Sequence, residues 1–170
     1  NGDLLLVRAI IQSARNVLHV DSDRVFVLGH SNGAFFSYFV AASLPDRIAA
    51  FAENAGGAVR CAHREAPGAQ FTGTAPSCSA LSQQSGFPSC SGALQPAPVP
   101  GSRMPLGFLA HAVDDNIVSV AWTCTLATAL GSRAYVVLQV PAAGERFGHA
   151  VTDDFASSAL AFFKRYRRQD

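Results

Sequence analysis

Apolar residues recur along this chain in two rhythms that alternate. Between Asp3 and His19, the residues Leu4, Leu5, Val7, Ile10, Ile11, Ala14, Val17 and Leu18 return at three- and four-residue steps, the period of an amphipathic helix. Asp3 stands near its start and His19 at its end, each at the terminus where the helix dipole favours it. Asp21-Ser22-Asp23 marks a turn, and Arg24–Leu28 is a short apolar run of the kind buried on both faces of a parallel sheet. Gly29–Gly33 interrupts it, and a second helix is predicted from Ala34 to Leu44, closed by Pro45. Ile48–Glu53, Pro105–Ala112 and Arg133–Val140 read as three further strands. Val118–Leu130 is a helix stopped by Gly131. Thr152 offers an N-cap to a last helix running to about Arg168, with Asp153 and Asp154 in its first turn and Lys164, Arg165, Arg167 and Arg168 toward its end.

The resulting order, α-β-α-β-loop-β-α-β-α without an internal repeat, predicts a parallel sheet with helices on both faces. Asn54–Met104 breaks the rhythm, with seven glycines, six prolines, scattered serines and little periodicity. A loop of that length inside a domain is functional or disordered as a rule. Its cysteines favour a stapled lid or surface excursion over free disorder.

Composition narrows the classes. The 170 residues are 49% hydrophobic and 15% charged, enough for one domain over 1–170 with a real core, and far from a disordered chain. A net charge of +1 gives no footing on nucleic acid or an acidic membrane, and no apolar run approaches the roughly 18 residues of a membrane span. Cys61, Cys78, Cys90 and Cys124 lack C-x-x-C spacing. Their even number, with three in the irregular segment, predicts two disulfides in an oxidising compartment, with the pairing left open. Reduced, buried thiols are the alternative.

The chemistry concentrates at Gly29-His30-Ser31-Asn32-Gly33, a G-x-S-x-G between a predicted strand and a predicted helix. In that context a sharp turn projects Ser31 at the carboxyl end of the sheet, and the flanking Gly29 and Gly33 avoid Cβ collisions. The backbone N–H of Asn32, at the start of the helix, can donate to a developing oxyanion. A serine nucleophile needs a base, and the base needs a carboxylate to fix its tautomer. Asp114 and Asp115 follow the third strand and His149 the fourth, so three loops at one edge of a parallel sheet can converge. Either aspartate also suits a turn before Val118, and Glu145 is a more distant candidate. His19, His30 and His63 read as a helix end, a variable turn position and a surface residue, and His111 as a satisfied core histidine. No two histidines stand at metal-ligand spacing, so no metal is expected. The turn lacks G-x-G-x-x-G and a phosphate-loop lysine, so no nucleotide cofactor is expected either.

Arg24–Ala34, with its Ser31-Asn32-Gly33, resembles the nucleophile turn of secreted α/β-hydrolase esterases, closest to the polyhydroxybutyrate-depolymerase and feruloyl-esterase-like group. His111–Val118 resembles that group's H-G-x-x-D-x-x-V segment, with Ala112 in place of the usual glycine, and Gly148-His149 resembles its Gly-His before the final helix. The resemblance implies a Ser31, Asp115, His149 triad, with Asp114 on a variable position. It also implies cofactor-free hydrolysis of a small or polymeric ester through an acyl-enzyme, outside the cell.

In such hydrolases several strands precede the nucleophile strand, and one of their loops supplies a second oxyanion donor. Here the residues ahead of Arg24 read as a single helix. The expectation is therefore a partial α/β-hydrolase fold, with a missing N-terminal segment or a partner chain covering the strand at 24–28. The rival expectation is a truncated or degenerate hydrolase acting as a non-catalytic binding module.

Overall fold

In chain order the elements are α1 (Gly2–Val17), β1 (Phe26–His30), α2 (Asn32–Ser43), β2 (Ala50–Asn54), β3 (Cys61–Arg64), α3 (Cys78–Leu81), β4 (Cys90–Leu94), β5 (Leu106–Ala112), α4 (Val120–Leu130), β6 (Ala134–Gln139) and α5 (Asp153–Phe163). They come from a computed structural model that describes residues 2–57, 61–64, 71–87, 90–94, 103–151 and 153–168, with 61–64, 90–94 and 153 described by their backbone. β1, β2, β5 and β6 form one parallel sheet in that order, while β3 and β4 pair as an antiparallel hairpin.

The alternation of side chains along each strand feeds two cores. Val25, Val27, Phe51, Leu109 and Val136 meet Tyr38, Val40 and Leu44 of the α2 region and Leu126 and Leu130 of α4 on one face. Phe26, Ala50, Ala52, Phe108 and Ala110 meet Phe155, Ala159, Phe162 and Phe163 of α5 on the other. Alanines on β2 let α5 approach closely, and the aromatics of α5 fill the space that those alanines leave. The chain thus has the predicted parallel sheet with helices on both faces.

Several details differ from the sequence reading. β1 runs to His30, because Gly29 and His30 continue in register with Glu53 and Asn54, so a single residue separates strand from helix. α5 stops at Phe163, where Lys164–Arg168 leave the helix to bind the turn after α1. Arg24 donates to the Lys164 carbonyl, and Arg167 and Arg168 pair with Asp21 and Asp23 at 3.0 and 2.7 Å. The segment expected as one long loop contains α3 and the β3–β4 hairpin. Of the two expected disulfides, Cys78–Cys124 ties α3 to α4 across a separation of 46 residues, a closure contributing on the order of 4 kcal/mol. The side chains of Cys61 and Cys90 lie outside the described residues.

β1 is an edge strand whose outer side has no strand partner among the described residues. Beside it α1 buries no residue fully: Leu4, Val7 and Ile11 pack on the core, while Leu5, Leu6 and Ile10 stay exposed. An apolar groove of about 560 Å³, lined by Val7, Ile10, Val25 and Val27, separates the two. No described helix is long and apolar enough to cross a membrane.

Glu53 is the misfit of this interior. It is fully buried on the α2 and α4 side of β2, and neither carboxyl oxygen has a hydrogen-bond partner among the described residues. Burial raises its pKa to about 8, outweighing the Gly57 backbone, which pulls it down. The folded chain therefore holds a proton that the unfolded chain releases near 4.5, and folding stability falls as pH rises from about 4.5 to about 8. Glu53→Gln removes this term, so its thermal midpoint should gain on the wild type progressively over that interval. Parallel melting curves from pH 5 to 9 check this, and a gap that does not grow with pH contradicts it.

Candidate active site

The local structure at Ser31 follows from the one-residue junction between β1 and α2. Reversing the chain there forces Ser31 to φ 55° and ψ −123°, a conformation costly for any residue with a side chain. The turn is held from below, where the Ser31 N–H donates to the Asn54 carbonyl at 2.9 Å. It also brings the Gly33 carbonyl so near Gly29 that a Cβ on Gly29 would lie 2.2 Å from the Gly33 oxygen. Gly33 differs from expectation: a Cβ there would meet nothing within 4 Å. The collision that the glycine pattern avoids lies at Gly29 alone. Asn32 and Gly33 head α2, where the first N–H groups of a helix have no intrahelical acceptor.

Asp115, in the turn after β5, has a side chain sealed from solvent. Its Oδ1 accepts from the backbone N–H groups of Ile117 and Val118 at 2.8 and 2.9 Å. Its Oδ2 lies 2.7 Å from His149 Nδ1 and 3.3 Å from His111 Nε2. Burial alone would raise its pKa, but the bonds from His111, His149, Val118 and Ile117 outweigh it and hold Asp115 down at about 2. Asp115 is thus an anion across the range in which histidines titrate. It accepts from Nδ1–H of His149, which leaves the Nε2 lone pair facing Ser31 Oγ at 2.9 Å. Ser31, His149 and Asp115 form one continuous hydrogen-bonded chain.

Other candidates fall differently. Asp114 does not reach the imidazole. Its carboxylate instead accepts from the Phe147 and Gly148 N–H groups at 3.1 and 3.2 Å, clamping the loop that presents His149. Gly148 makes that presentation possible with φ 56°. Glu145 is exposed in the same loop, and Asp115 already occupies the Nδ1 of His149. His111 is a satisfied core histidine as expected, bonded to Thr123 Oγ1 and the Val118 carbonyl at 2.7 and 2.9 Å, and it also buttresses Asp115. His30 is no idle turn position: its ring lies 4.8 Å from that of His149, and its Nδ1 is 2.8 Å from Asn54 Oδ1. Nothing in the spacing of residues 30, 54 and 149 signals that contact. His63 has its side chain outside the described residues. Among the described residues no three His, Cys, Asp or Glu side chains cluster to hold a metal.

No family model matches the chain, and no curated protein matches it. Solved structures do. A thermostable esterase superposes with a TM-score of 0.61 at 16% identity, over 99% of this chain and 38% of its own. The esterase domain of a Rhodothermus marinus protein gives 0.59 at 19% identity, over 97% and 69%. A variant of Arabidopsis thaliana SOBER1 gives 0.59 at 14% identity, over 95% and 62%. The chain has the α/β-hydrolase fold. It spans 38% to 69% of the length of these three structures, so the fold is partial relative to theirs.

The two glycines of the turn give a direct test of its geometry. Gly29→Ala should cost roughly 3 kcal/mol, since backbone rather than a pliable side chain blocks the methyl group. Gly33→Ala should be neutral or stabilising by up to about 1 kcal/mol, because Gly33 is an unobstructed helical position. Urea unfolding of both variants measures this, and equal effects would contradict the turn as described.

Proposed function

We propose that this chain is a serine hydrolase acting on carboxylic esters through an acyl-enzyme, with Ser31 as nucleophile, His149 as general base and then acid, and Asp115 as the group that orients His149. The observation that carries this reading is the Asp115–His149–Ser31 chain, with links of 2.7 and 2.9 Å. It supplies each requirement of the chemistry: an anion in a dry site, a fixed tautomer, and a lone pair on the hydroxyl proton. Ser31 attacks the ester carbonyl while His149 Nε2 takes its proton. The imidazolium, stabilised by Asp115, returns that proton to the leaving alcohol, and water then repeats the sequence on the acyl-serine. The Asn32 N–H, at the head of α2, is the proposed donor to the oxyanion.

Polyesters and feruloyl or acetyl esters are the proposed substrates, in line with the resemblance of the Ser31, Asp115 and His149 segments to polyhydroxybutyrate depolymerases and feruloyl esterases. Ile117 and Phe147, which flank the acid and the base, remain exposed and suit an apolar acyl or aryl group. The Cys78–Cys124 bridge supports an extracellular location. We further propose that a preceding segment of a longer chain pairs with the open edge of β1 and supplies a second oxyanion donor. That β1 has no outer strand partner among the described residues, and the share of the structural neighbours that the chain spans, support this. The same features favour the second reading, a hydrolase-like binding module, if the site is not competent.

A fluorophosphonate probe separates the two readings. The wild type should gain one adduct by intact mass, and Ser31→Ala none. Asp115→Asn should lower kcat about 10⁴-fold, and Asp114→Asn by less than about ten-fold, because an amide oxygen still accepts one of the two loop N–H groups. Absence of any adduct on the folded wild type would favour the binding module, and the reverse ranking of the aspartates would move the acid to Asp114.

A further inference from the structure

β1 and β2 place His30 directly opposite Asn54, on the face where His149 descends from its loop. Asn54 is 1% exposed, and its amide nitrogen faces the Ala110 carbonyl at 3.5 Å. Its Oδ1 is therefore the end turned to His30, and His30 donates through Nδ1–H at 2.8 Å. The backbone carbonyl of the same Asn54 holds the Ser31 N–H. One buried amide residue thus fixes both the nucleophile's backbone and the ring beside the base. That ring meets His149 at a centroid distance of 4.8 Å and a tilt of 38°, within the range of packed aromatic pairs.

We propose that His30 is a positioning residue for the esterase reaction: anchored by Asn54, its ring braces His149 between Ser31 and Asp115. This rests on the serine-esterase reading. The charged and titratable groups around the pair are few. Asp115 binds His149 directly, and His111 shares Asp115 Oδ2 at 3.3 Å. Asp114 is occupied by the Phe147 and Gly148 N–H groups, and Glu53 projects to the opposite face of β2 from Asn54. The Asp115 carboxylate contacts His149 and not His30, so His30 bears on the base through the ring contact. His30 exchanges no proton with substrate, since the serine proton passes to His149 Nε2 and on to the leaving alcohol.

The test is hydrolysis of a short-chain p-nitrophenyl ester by the full chain, in the wild type, His30→Ala and His30→Phe. His30→Ala, which loses the brace, should lower kcat about ten-fold with KM little changed. His30→Phe, which keeps a flat ring against His149, should recover most of that loss. Unchanged kcat in folded His30→Ala overturns the role, as does a loss that falls on KM instead of kcat. If His30→Ala does not fold, a folded His30→Phe whose kcat drops about ten-fold or more overturns it. A wild type that the fluorophosphonate probe leaves unlabelled counts against the esterase reading, whereas a labelled wild type whose labelling rate His30→Ala leaves unchanged counts against the brace alone.

Discussion

A carboxylate sealed from water is tolerable only when enough donors converge on it, and Asp115 gathers four. Two are backbone N–H groups of its own turn, one is His149 from the loop after β6, and the fourth is His111 at the end of β5. Their combined pull exceeds the desolvation penalty and keeps the pKa at about 2. The sign matters for folding as well as for chemistry. The contribution of Asp115 to stability is complete above its ordinary value of 3.8 and is lost as pH falls toward 2. Remove the charge and the turn, the His149 loop and the end of β5 lose their common acceptor together. The site is thus part of what holds the C-terminal edge of the sheet in place.

Much of this arrangement was legible in the residues, and the parts that were not share a cause. Strands buried on both faces announce themselves as short apolar runs, and helices by their three-to-four spacing, so the succession of elements that build the parallel sheet followed from local pattern. The turn at Ser31 followed too, because few backbones other than a strand-to-helix reversal need Gly29 where it is. The β3–β4 hairpin was hidden: its strands, Cys61–Arg64 and Cys90–Leu94, are short and far apart in the chain, and neither carries a period of its own. The end of α5 was misjudged because basic residues suit a helix C-terminus, and nothing local says that Arg167 and Arg168 are claimed by Asp21 and Asp23. His30 against His149 is the same kind of fact, a contact created by register and loop path.

Asp114 and Asp115 show how adjacent identical residues acquire different work. Spacing alone left both open, and only the resemblance pointed to Asp115. The backbone decides between them: after β5, Asp115 turns into the buried side of its own turn, where Ile117 and Val118 offer N–H groups, while Asp114 turns toward the neighbouring loop and takes Phe147 and Gly148. One aspartate aligns the imidazole and the other aligns the loop that carries it. Losing either acceptor would misplace the same ring by different routes, one through its tautomer and charge, the other through its position.

Glu53 and Asn54 extend that logic across the sheet. They are consecutive, both buried, and project to opposite faces of β2. Asn54 is satisfied on every side that matters: its carbonyl holds Ser31, and its amide oxygen holds His30. Glu53 has no such company and, with its pKa raised to about 8, stays protonated through neutral pH. An ionised Glu53 would add negative charge beside the Gly56-Gly57 turn, where a Cβ on Gly57 would already sit 2.4 Å from the Trp122 backbone. There is no slack there for water to follow the charge inward. The interior therefore favours the neutral acid up to about pH 8, and the tight junction between β2 and α4 is coupled to the proton that Glu53 carries.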